Sequence, residues 1–251
     1  MRTAAEGAAA AESPDIETSS AAYARRFSGA AGAYFLQVQA RALNYLIRDL
    51  PSPRVLDVGG GHGQLVPTLL RRNCDLTMFG SEERTHARVR AYFPHARISY
   101  GSGNLLQLPY GDRTFDIVVS VRLMAHFSAW EALLAEFCRV SRLAVIVDYP
   151  SLRSLDAVTL LPLPLKKHIE QGAQRYRYFF PAGVARELRR NGFDVERSFG
   201  QFFLPMFLHR AMSGSRALQL LEGALRTTGV TSLLGSPVLL LARRCAEQHK
   251  Y

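Results

Sequence analysis

Apolar residues occur at two different spacings early in the chain. Residues 33–49 carry apolar side chains three and four positions apart, which predicts an amphipathic helix. Pro51 and Pro53 end that pattern, and the apolar run 54–58 stops at glycines, which predicts a short buried strand. The apolar positions of the predicted helix are Tyr34, Phe35, Val38, Ala42, Tyr45 and Leu46.

Predicted strands and helices then alternate through residue 150. Short apolar runs indicate buried strands, and segments with a period between three and four indicate helices. Such alternation is typical of a parallel sheet with helices on both faces. The predicted strands are 75–80, 96–101, 115–122 and 143–150, and the predicted helices are 63–72, 82–93 and 130–140.

The last third of the chain is less regular. Pro181 opens a predicted helix that Asn191 and Gly192 close. Beyond it we predict a strand, a helical stretch and a final apolar strand. These three segments are 193–205, 208–230 and 236–244.

The composition suggests one domain behind a short tail. Residues 1–20 are small and polar, so we expect a disordered tail that carries no chemistry. Residues 21–251 are expected to form a single domain, because 48% of the chain is hydrophobic and can fill a core. Helical insertions are expected near 151–180 and 206–235.

The net charge of +10 changes this picture little. Apart from Lys166, Lys167 and Lys250 the basic residues are arginines spread along the chain, as an arginine-rich genome would also produce, so a nucleic-acid partner is not favoured. The sequence has no run of 18 apolar residues and no signal-peptide core, and its three cysteines match no disulfide or zinc pattern. We therefore expect a cytoplasmic protein without a bound metal.

Glycines at 59, 61 and 63 follow the first predicted strand. Glycine lets the backbone approach a ligand and adopt unusual φ and ψ angles. A glycine-rich turn alone is also found in dinucleotide-binding folds, which use the spacing GxGxxG. Here the spacing is GxGxG, and Asp57 inside the strand would oppose a pyrophosphate but attract a cationic amino-acid group.

The pattern D-x-G-x-G-x-G over residues 57–63 resembles the first motif of class I S-adenosylmethionine-dependent methyltransferases. Segments that resemble this family cover most of residues 23–243. Residues 118–127 are similar to the strand and loop that face the methyl group in the small-molecule branch called type 11, which includes ubiquinone and menaquinone methyltransferases. Residues 23–27 stand where many of these enzymes close a lid.

This resemblance implies a fold and a cofactor. The fold is a Rossmann-like α/β fold with a mostly parallel seven-stranded sheet, helices on both faces and an antiparallel last strand. The cofactor is S-adenosylmethionine. Its expected binding turn consists of Asp57, Gly59, Gly60, Gly61 and Gly63.

Two further cofactor contacts follow from the resemblance. In the family an acid at the end of the second strand binds the ribose hydroxyls, and Glu82 is preferred here over Glu83 or Ser81. The same residues could instead cap a helix. Asn104, followed by Leu105, stands where the family has an aspartate on the adenine amino group, and its amide oxygen can accept the same hydrogen bond.

His126, Asp148 and Tyr149 are the candidate catalytic residues. The cofactor supplies the reactive methyl group, so the protein must orient the acceptor and, for some acceptors, provide a base. His126 follows the fourth strand at the ligand-binding edge, although a lone histidine is more often structural. Asp148 and Tyr149 end the fifth strand, as substrate contacts or as ordinary strand-end residues. His62 is expected to pack near the cofactor.

The expected acceptor is a small molecule, and two apolar segments, 157–165 and 202–208, favour a lipophilic one. The stretch between 208 and 236 is interpreted as a lid or surface-association element, or as extra core packing. Lys166, Lys167 and His168 would suit an anionic membrane surface, so peripheral membrane contact is a further expectation.

Two alternatives stay open at this point. An RNA or protein methyltransferase is suggested by the charge and by the basic and aromatic run 174–180. A non-catalytic domain that binds S-adenosylmethionine would carry the same glycine motif.

Overall fold

A computed structural model of the chain describes residues 13–50, 53–158, 176–212 and 215–246. The expected tail up to residue 12, the apolar run 159–165 and the cluster Lys166, Lys167 and His168 lie outside the described residues. Within the described residues, no helix is both long and apolar enough to cross a membrane.

Seven strands of the described residues form one sheet. They are β1 (Arg54–Val58), β2 (Asp75–Gly80), β3 (Ile98–Ser102), β4 (Phe115–Ser120), β5 (Ser141–Tyr149), β6 (Phe193–Phe202) and β7 (Ser236–Arg244). Their order in the sheet is β3-β2-β1-β4-β5-β7-β6. Strands β1 to β5 run parallel to one another, and β7 is antiparallel to both β5 and β6. The predicted fold class, including the antiparallel last strand, is confirmed.

Helices precede and connect these strands. Short 3₁₀ turns at Arg25–Phe27, Glu83–His86 and Met124–His126 extend some of them. The α-helices are α1 (Pro14–Thr18), α2 (Ala21–Ala24), α3 (Gly29–Leu46), α4 (Val66–Arg71), α5 (Ala87–Tyr92), α6 (Trp130–Val140), α7 (Leu155–Val158), α8 (Pro181–Arg190), α9 (Met206–Ala211), α10 (Arg216–Thr227) and α11 (Val230–Leu234).

Each face of the sheet packs against its own helices, because alternate strand residues point to opposite faces. On β5, Val145 and Val147 join the core beneath α6 and α8. Ala144 and Ile146 join the core beneath α3 and α4. Burial on both faces explains why the parallel strands are continuous apolar runs rather than alternating ones.

The amino-terminal boundary differs from the expected one. Residues 14–18 form α1 instead of a tail, and Asp15 is fully buried. The aromatic residues Tyr23 and Phe27 then pack in a third core with α3 and Phe202. The expected tail through residue 20 was therefore too long, because its few larger side chains find long-range contacts that the local composition does not reveal.

Candidate functional site

The carboxyl ends of the parallel strands meet at one edge of the sheet. The strand order changes direction between β1 and β4, which is where open α/β sheets bind ligands. Asp57 lies near the end of β1, Arg122 follows the end of β4, and Asp148 lies near the end of β5. The topology thus brings three charged residues to the position expected for a binding site.

The turn after β1 uses positions that leave no room for a side chain. Gly59 and Gly63 have φ angles of 73° and 75°, in the region that favours glycine. A Cβ on Gly60 would lie 2.1 Å from Oδ2 of Asp57, and one on Gly61 would lie 2.3 Å from the carbonyl oxygen of Thr85. These glycines are therefore needed for the close approach of the turn to its neighbours.

Asp57 is a buried carboxylate without a hydrogen-bond partner in the part of the chain that the structure describes. Its exposed fraction is 1%, and neither oxygen accepts a hydrogen bond from the described residues. Burial raises the pKa of this carboxyl to about 7, since low polarity disfavours the charged form. A cationic group placed beside Asp57 would relieve this cost.

Residues 14–27, here named the N-terminal cover, pack over the glycine turn. The rings of Tyr23 and Phe27 lie edge-on to the His62 ring, with centroid distances of 5.9 and 5.5 Å. Burial, together with nearby arginines, lowers the pKa of His62 to about 4, so this ring is neutral at physiological pH. The cavity left beside Asp57 is only about 20 Å³, room for about one water molecule.

Arg122 joins the cover to the sheet, and sequence reasoning did not single it out. Its backbone has a φ of 64°, and its N–H donates to Oδ1 of Asp148 at 2.6 Å. Its guanidinium donates to Oε1 of Gln39 at 2.8 Å and lies 3.8 Å from the centroid of the Phe27 ring. The sequence signal that could have identified Arg122 was its position just after the apolar strand β4.

The predicted ribose and adenine contacts lie near this edge, but their side chains already have partners. Oε2 of Glu82 pairs with Nε of Arg84 at 2.7 Å, and the Glu82 side chain is 48% exposed. Oδ1 of Asn104 accepts the backbone N–H of Leu106 at 2.9 Å. Leu105 is buried in the core.

The candidate catalytic residues have three different environments. His126 is half-buried, its Nδ1 has no partner among the described residues, and its ring lies 5.2 Å from the Tyr176 ring. Burial lowers its pKa. Asp148 is held by the Arg122 N–H, while burial raises its pKa to about 6. Burial raises the pKa of Tyr149, which packs against Phe179, to about 12.

Residues 55–143 match the family model described as a methyltransferase domain. No curated protein matches the chain by sequence.

Several solved structures share the fold. Magnesium protoporphyrin IX methyltransferase of Synechocystis PCC 6803, with bound S-adenosylhomocysteine, is 16% identical with a TM-score of 0.59, covering 85% of this chain and 84% of that one. The 1,6-didemethyltoxoflavin-N1-methyltransferase of Burkholderia thailandensis is 17% identical with a TM-score of 0.60, covering 98% and 92%. A Haloferax volcanii protein in complex with the Trm112 methyltransferase activator is 14% identical with a TM-score of 0.60, covering 94% and 99%. At these identities the likeness concerns the fold.

The chemistry of the glycine turn fits S-adenosylmethionine. The Asp57 carboxylate, to which no described residue donates a hydrogen bond, is suited to a cationic amino group, and a side chain at Gly60 or Gly61 would fill the turn. The cavity, however, is too small for this cofactor. Ligand sites commonly measure about 300–1,000 Å³, and the cavity beside Asp57 measures about 20 Å³. The cofactor therefore exceeds the cavity, whose lining includes Thr18 and Tyr23 of the N-terminal cover.

Proposed function

We propose that this chain transfers the methyl group of S-adenosylmethionine to a small molecule. The proposal is supported by the methyltransferase-domain match over residues 55–143 and by the class I methyltransferase fold. The single observation that carries the small-molecule acceptor is the enclosure of the site. The N-terminal cover lies over the glycine turn, and Arg177 N–H donates to the carbonyl of Ala125 at 2.9 Å, which holds a second segment beside His126. A polymer would find little access to such a site.

The cofactor assignments from the sequence stand as part of this proposal. Asp57 would accept the cationic amino group, because its buried oxygens have no partner within the described ranges of the chain. The turn from Gly59 through Gly63 would let the backbone lie against the cofactor. Glu82 would contact the ribose once its exposed ion pair with Arg84 is exchanged, and Asn104 with Leu105 would border the adenine. When bound, S-adenosylmethionine supplies an activated methyl group.

His126 is the proposed general base. Because burial lowers its pKa, the ring is neutral at physiological pH. Its Nδ1, which has no partner among the residues that the structure describes, can accept a proton from an acceptor hydroxyl or amine. Asp148 is proposed to position the end of β4 through the Arg122 N–H. Tyr149 is proposed to line the acceptor side, because it ends β5 at the ligand-binding edge and its ring packs against Phe179.

A lipophilic acceptor is the finer part of the proposal. It is supported by the aromatic surroundings of His126, where the Tyr176 ring is 5.2 Å away and the Tyr178 ring a further 5.5 Å from Tyr176. Peripheral membrane contact is proposed from large exposed apolar side chains on the carboxy-terminal helices. They include Phe207, Leu220 and Leu233, with exposed fractions of 53%, 75% and 71%, and Met212, directly after α9, is 52% exposed.

The deciding experiment is incubation of the protein with methyl-labelled S-adenosylmethionine and an extract of the native cell, followed by separation into lipid, small-molecule, RNA and protein fractions. We expect label in the lipid or small-molecule fraction. The matched control is Gly61→Val, whose added side chain would collide with the Thr85 carbonyl and with the cofactor's path along the turn.

Two outcomes would replace the proposal. Label in the RNA or protein fraction would favour a macromolecular acceptor. Binding of S-adenosylhomocysteine without transfer to any fraction would favour a non-catalytic domain.

A further inference from the structure

Asp15 is a second buried carboxylate with an unused oxygen. It lies on α1 with an exposed fraction of 0%. Its Oδ2 accepts the backbone N–H of Ser81 at 2.7 Å, whereas Oδ1 has no hydrogen-bond partner among the described residues. A buried acceptor without a hydrogen bond costs free energy of folding. Oδ1 of Asp15 is therefore a candidate acceptor for a donor on a ligand.

The position of Asp15 is set by the end of β2. A Cβ on Gly80 would lie 3.3 Å from Oδ2 of Asp15, so the absence of a side chain there leaves room for the carboxylate. The same strand end reaches the glycine turn, because Gly59 N–H donates to the carbonyl of Phe79 at 2.8 Å. Ser19, one turn further along the cover, meets Gly61. The carboxylate therefore sits beside the junction of the two strand ends that border the candidate cofactor site.

The strand end itself provides no inward carboxylate among the described residues. Glu82 turns outward to Arg84, and Oε1 of Glu83 accepts from Arg90 at 2.5 Å in an equally exposed pair. Phe79, the last fully apolar residue of β2, is buried in the core. The acid with a free oxygen at this place comes from the N-terminal cover.

We propose that Asp15 is a ribose-binding residue of the cofactor site, in addition to the contact proposed for Glu82 once that side chain leaves Arg84. Two hydroxyls on neighbouring ribose carbons are donors, and a carboxylate oxygen is the acceptor that suits them. This inference rests on the proposed function, since it requires an adenosyl cofactor. The proposal places part of the cofactor site on the N-terminal cover, which must first move away to admit the cofactor. Cofactor binding and closure of the cover are therefore coupled.

The test is calorimetry with S-adenosylhomocysteine and with its 2′,3′-dideoxyribose analogue on the full chain. Asp15→Asn keeps an amide oxygen for the Ser81 N–H, so α1 stays in place. We expect this variant to bind S-adenosylhomocysteine about 10- to 100-fold more weakly, the range for loss of a charged acceptor. For the dideoxy analogue the difference between variant and parent should shrink to about threefold or less, since both hydroxyl donors are already absent. Glu17→Gln is the matched control, an acid on the same helix whose nearest cation is Arg26 at 4.0 Å, and it should bind like the parent.

A second measurement reports on closure instead of affinity. Arg25 and Arg26 are exposed within the N-terminal cover, so trypsin can cut there when the segment opens. S-adenosylhomocysteine should slow this cleavage in the parent and in Glu17→Gln, and slow it much less in Asp15→Asn.

Unchanged affinity in Asp15→Asn would overturn the assignment, and tighter binding would show that Asp15 only blocks the site. An equal loss for both ligands would mean that Asp15 merely holds α1. If the parent protein binds no S-adenosylhomocysteine at all, the proposed function fails, which is a different result from any of these.

Discussion

Two regions of the molecule each bury a carboxylate, and they treat it in opposite ways. In the glycine turn, Asp57 is 1% exposed and accepts no hydrogen bond from the residues described, and burial raises its pKa to about 7. In the carboxy-terminal helices, Glu222 of α10 is 0% exposed and accepts from Phe203 N–H at 3.0 Å and Leu204 N–H at 2.8 Å. His209 Nε2 lies 3.3 Å from the same carboxylate.

The pKa of Glu222 shows what these contacts do. Burial by itself would raise the pKa, but the hydrogen bonds from His209 and the two backbone amides outweigh burial and hold the pKa below its usual value. Glu222 therefore fastens α10 to the segment that leaves β6, and its burial is structural. Asp57 is also buried, but no hydrogen bond from the described residues offsets the free-energy cost of its burial. This is the pattern expected where a ligand completes the site.

The largest expected effect is on stability in the carboxy-terminal region. Glu222→Ala leaves two backbone donors and a histidine buried without an acceptor, so it should lower the free energy of unfolding by about 3 kcal/mol. Urea denaturation measures this. Glu131→Ala, at an exposed acid in the first turn of α6, is the control and should change stability by about 0.5 kcal/mol or less. If both variants changed stability equally, the structural role of Glu222 would be refuted.

The next effect is on cofactor affinity in the glycine turn. Asp57→Asn removes the charge that a cationic amino group would pair with, so binding of S-adenosylhomocysteine should weaken by about 1.5–3 kcal/mol. Stability without ligand should stay the same or rise, because the variant has no buried charge to desolvate. Calorimetry and denaturation on the same sample give both numbers. An Asp57→Asn protein that is unstable but binds normally would reverse the contrast with Glu222.

The two carboxylates also predict opposite dependences on pH. Asp57 has a folded pKa of about 7 against an ordinary value of about 4. Between these values the folded state binds the extra proton, so the contribution of Asp57 to stability falls as pH rises from about 4 to about 7. Glu222, with its lowered pKa, contributes stability above pH of about 4 that is lost on acidification.

Unfolding curves of the ligand-free protein between about pH 2 and about pH 8 test these signs, since Glu222 loses its contribution below about pH 4. The stability gain of Asp57→Asn over the parent should grow up to about pH 7 and then level off. The loss in Glu222→Gln should be constant at neutral pH and shrink towards acid. A pH-independent difference for Asp57→Asn would contradict the buried, unpaired state of that carboxylate.

The strands and the amphipathic helices could be predicted from the sequence because their signals are local. The helix predicted over 130–140 has the observed bounds Trp130–Val140, since apolar residues recur there at helical spacing. Helix α3 begins at Gly29, earlier than predicted, because residues 29–32 are glycine and alanine and carry no periodic signal. The glycine turn was predictable for a similar reason, since its spacing is continuous along the chain.

The rest of the candidate site depends on contacts between distant parts of the sequence. Arg122 reaches Gln39, 83 positions away, and Asp15 reaches Ser81, 66 positions away. Periodicity reports which face of an element is apolar, but it does not report which strand end an acid will face. That is why the small, polar composition of residues 13–20 suggested a tail although Asp15 and Thr18 are buried.

The smallest expected effect concerns the outer face of the carboxy-terminal helices, whose inner face holds Glu222. Leu220 and Leu233 are 75% and 71% exposed, and transfer of such a side chain into a lipid interface is worth about 1.5 kcal/mol or less. Replacing both with Asp should reduce sedimentation with anionic liposomes about tenfold, without altering stability or S-adenosylhomocysteine affinity. Tyr92→Ser, which removes a 66% exposed ring on α5, is the matched control. Equal sedimentation of all three proteins would limit the role of this region to the structural one that Glu222 defines, and would leave the methyl-transfer proposal untouched.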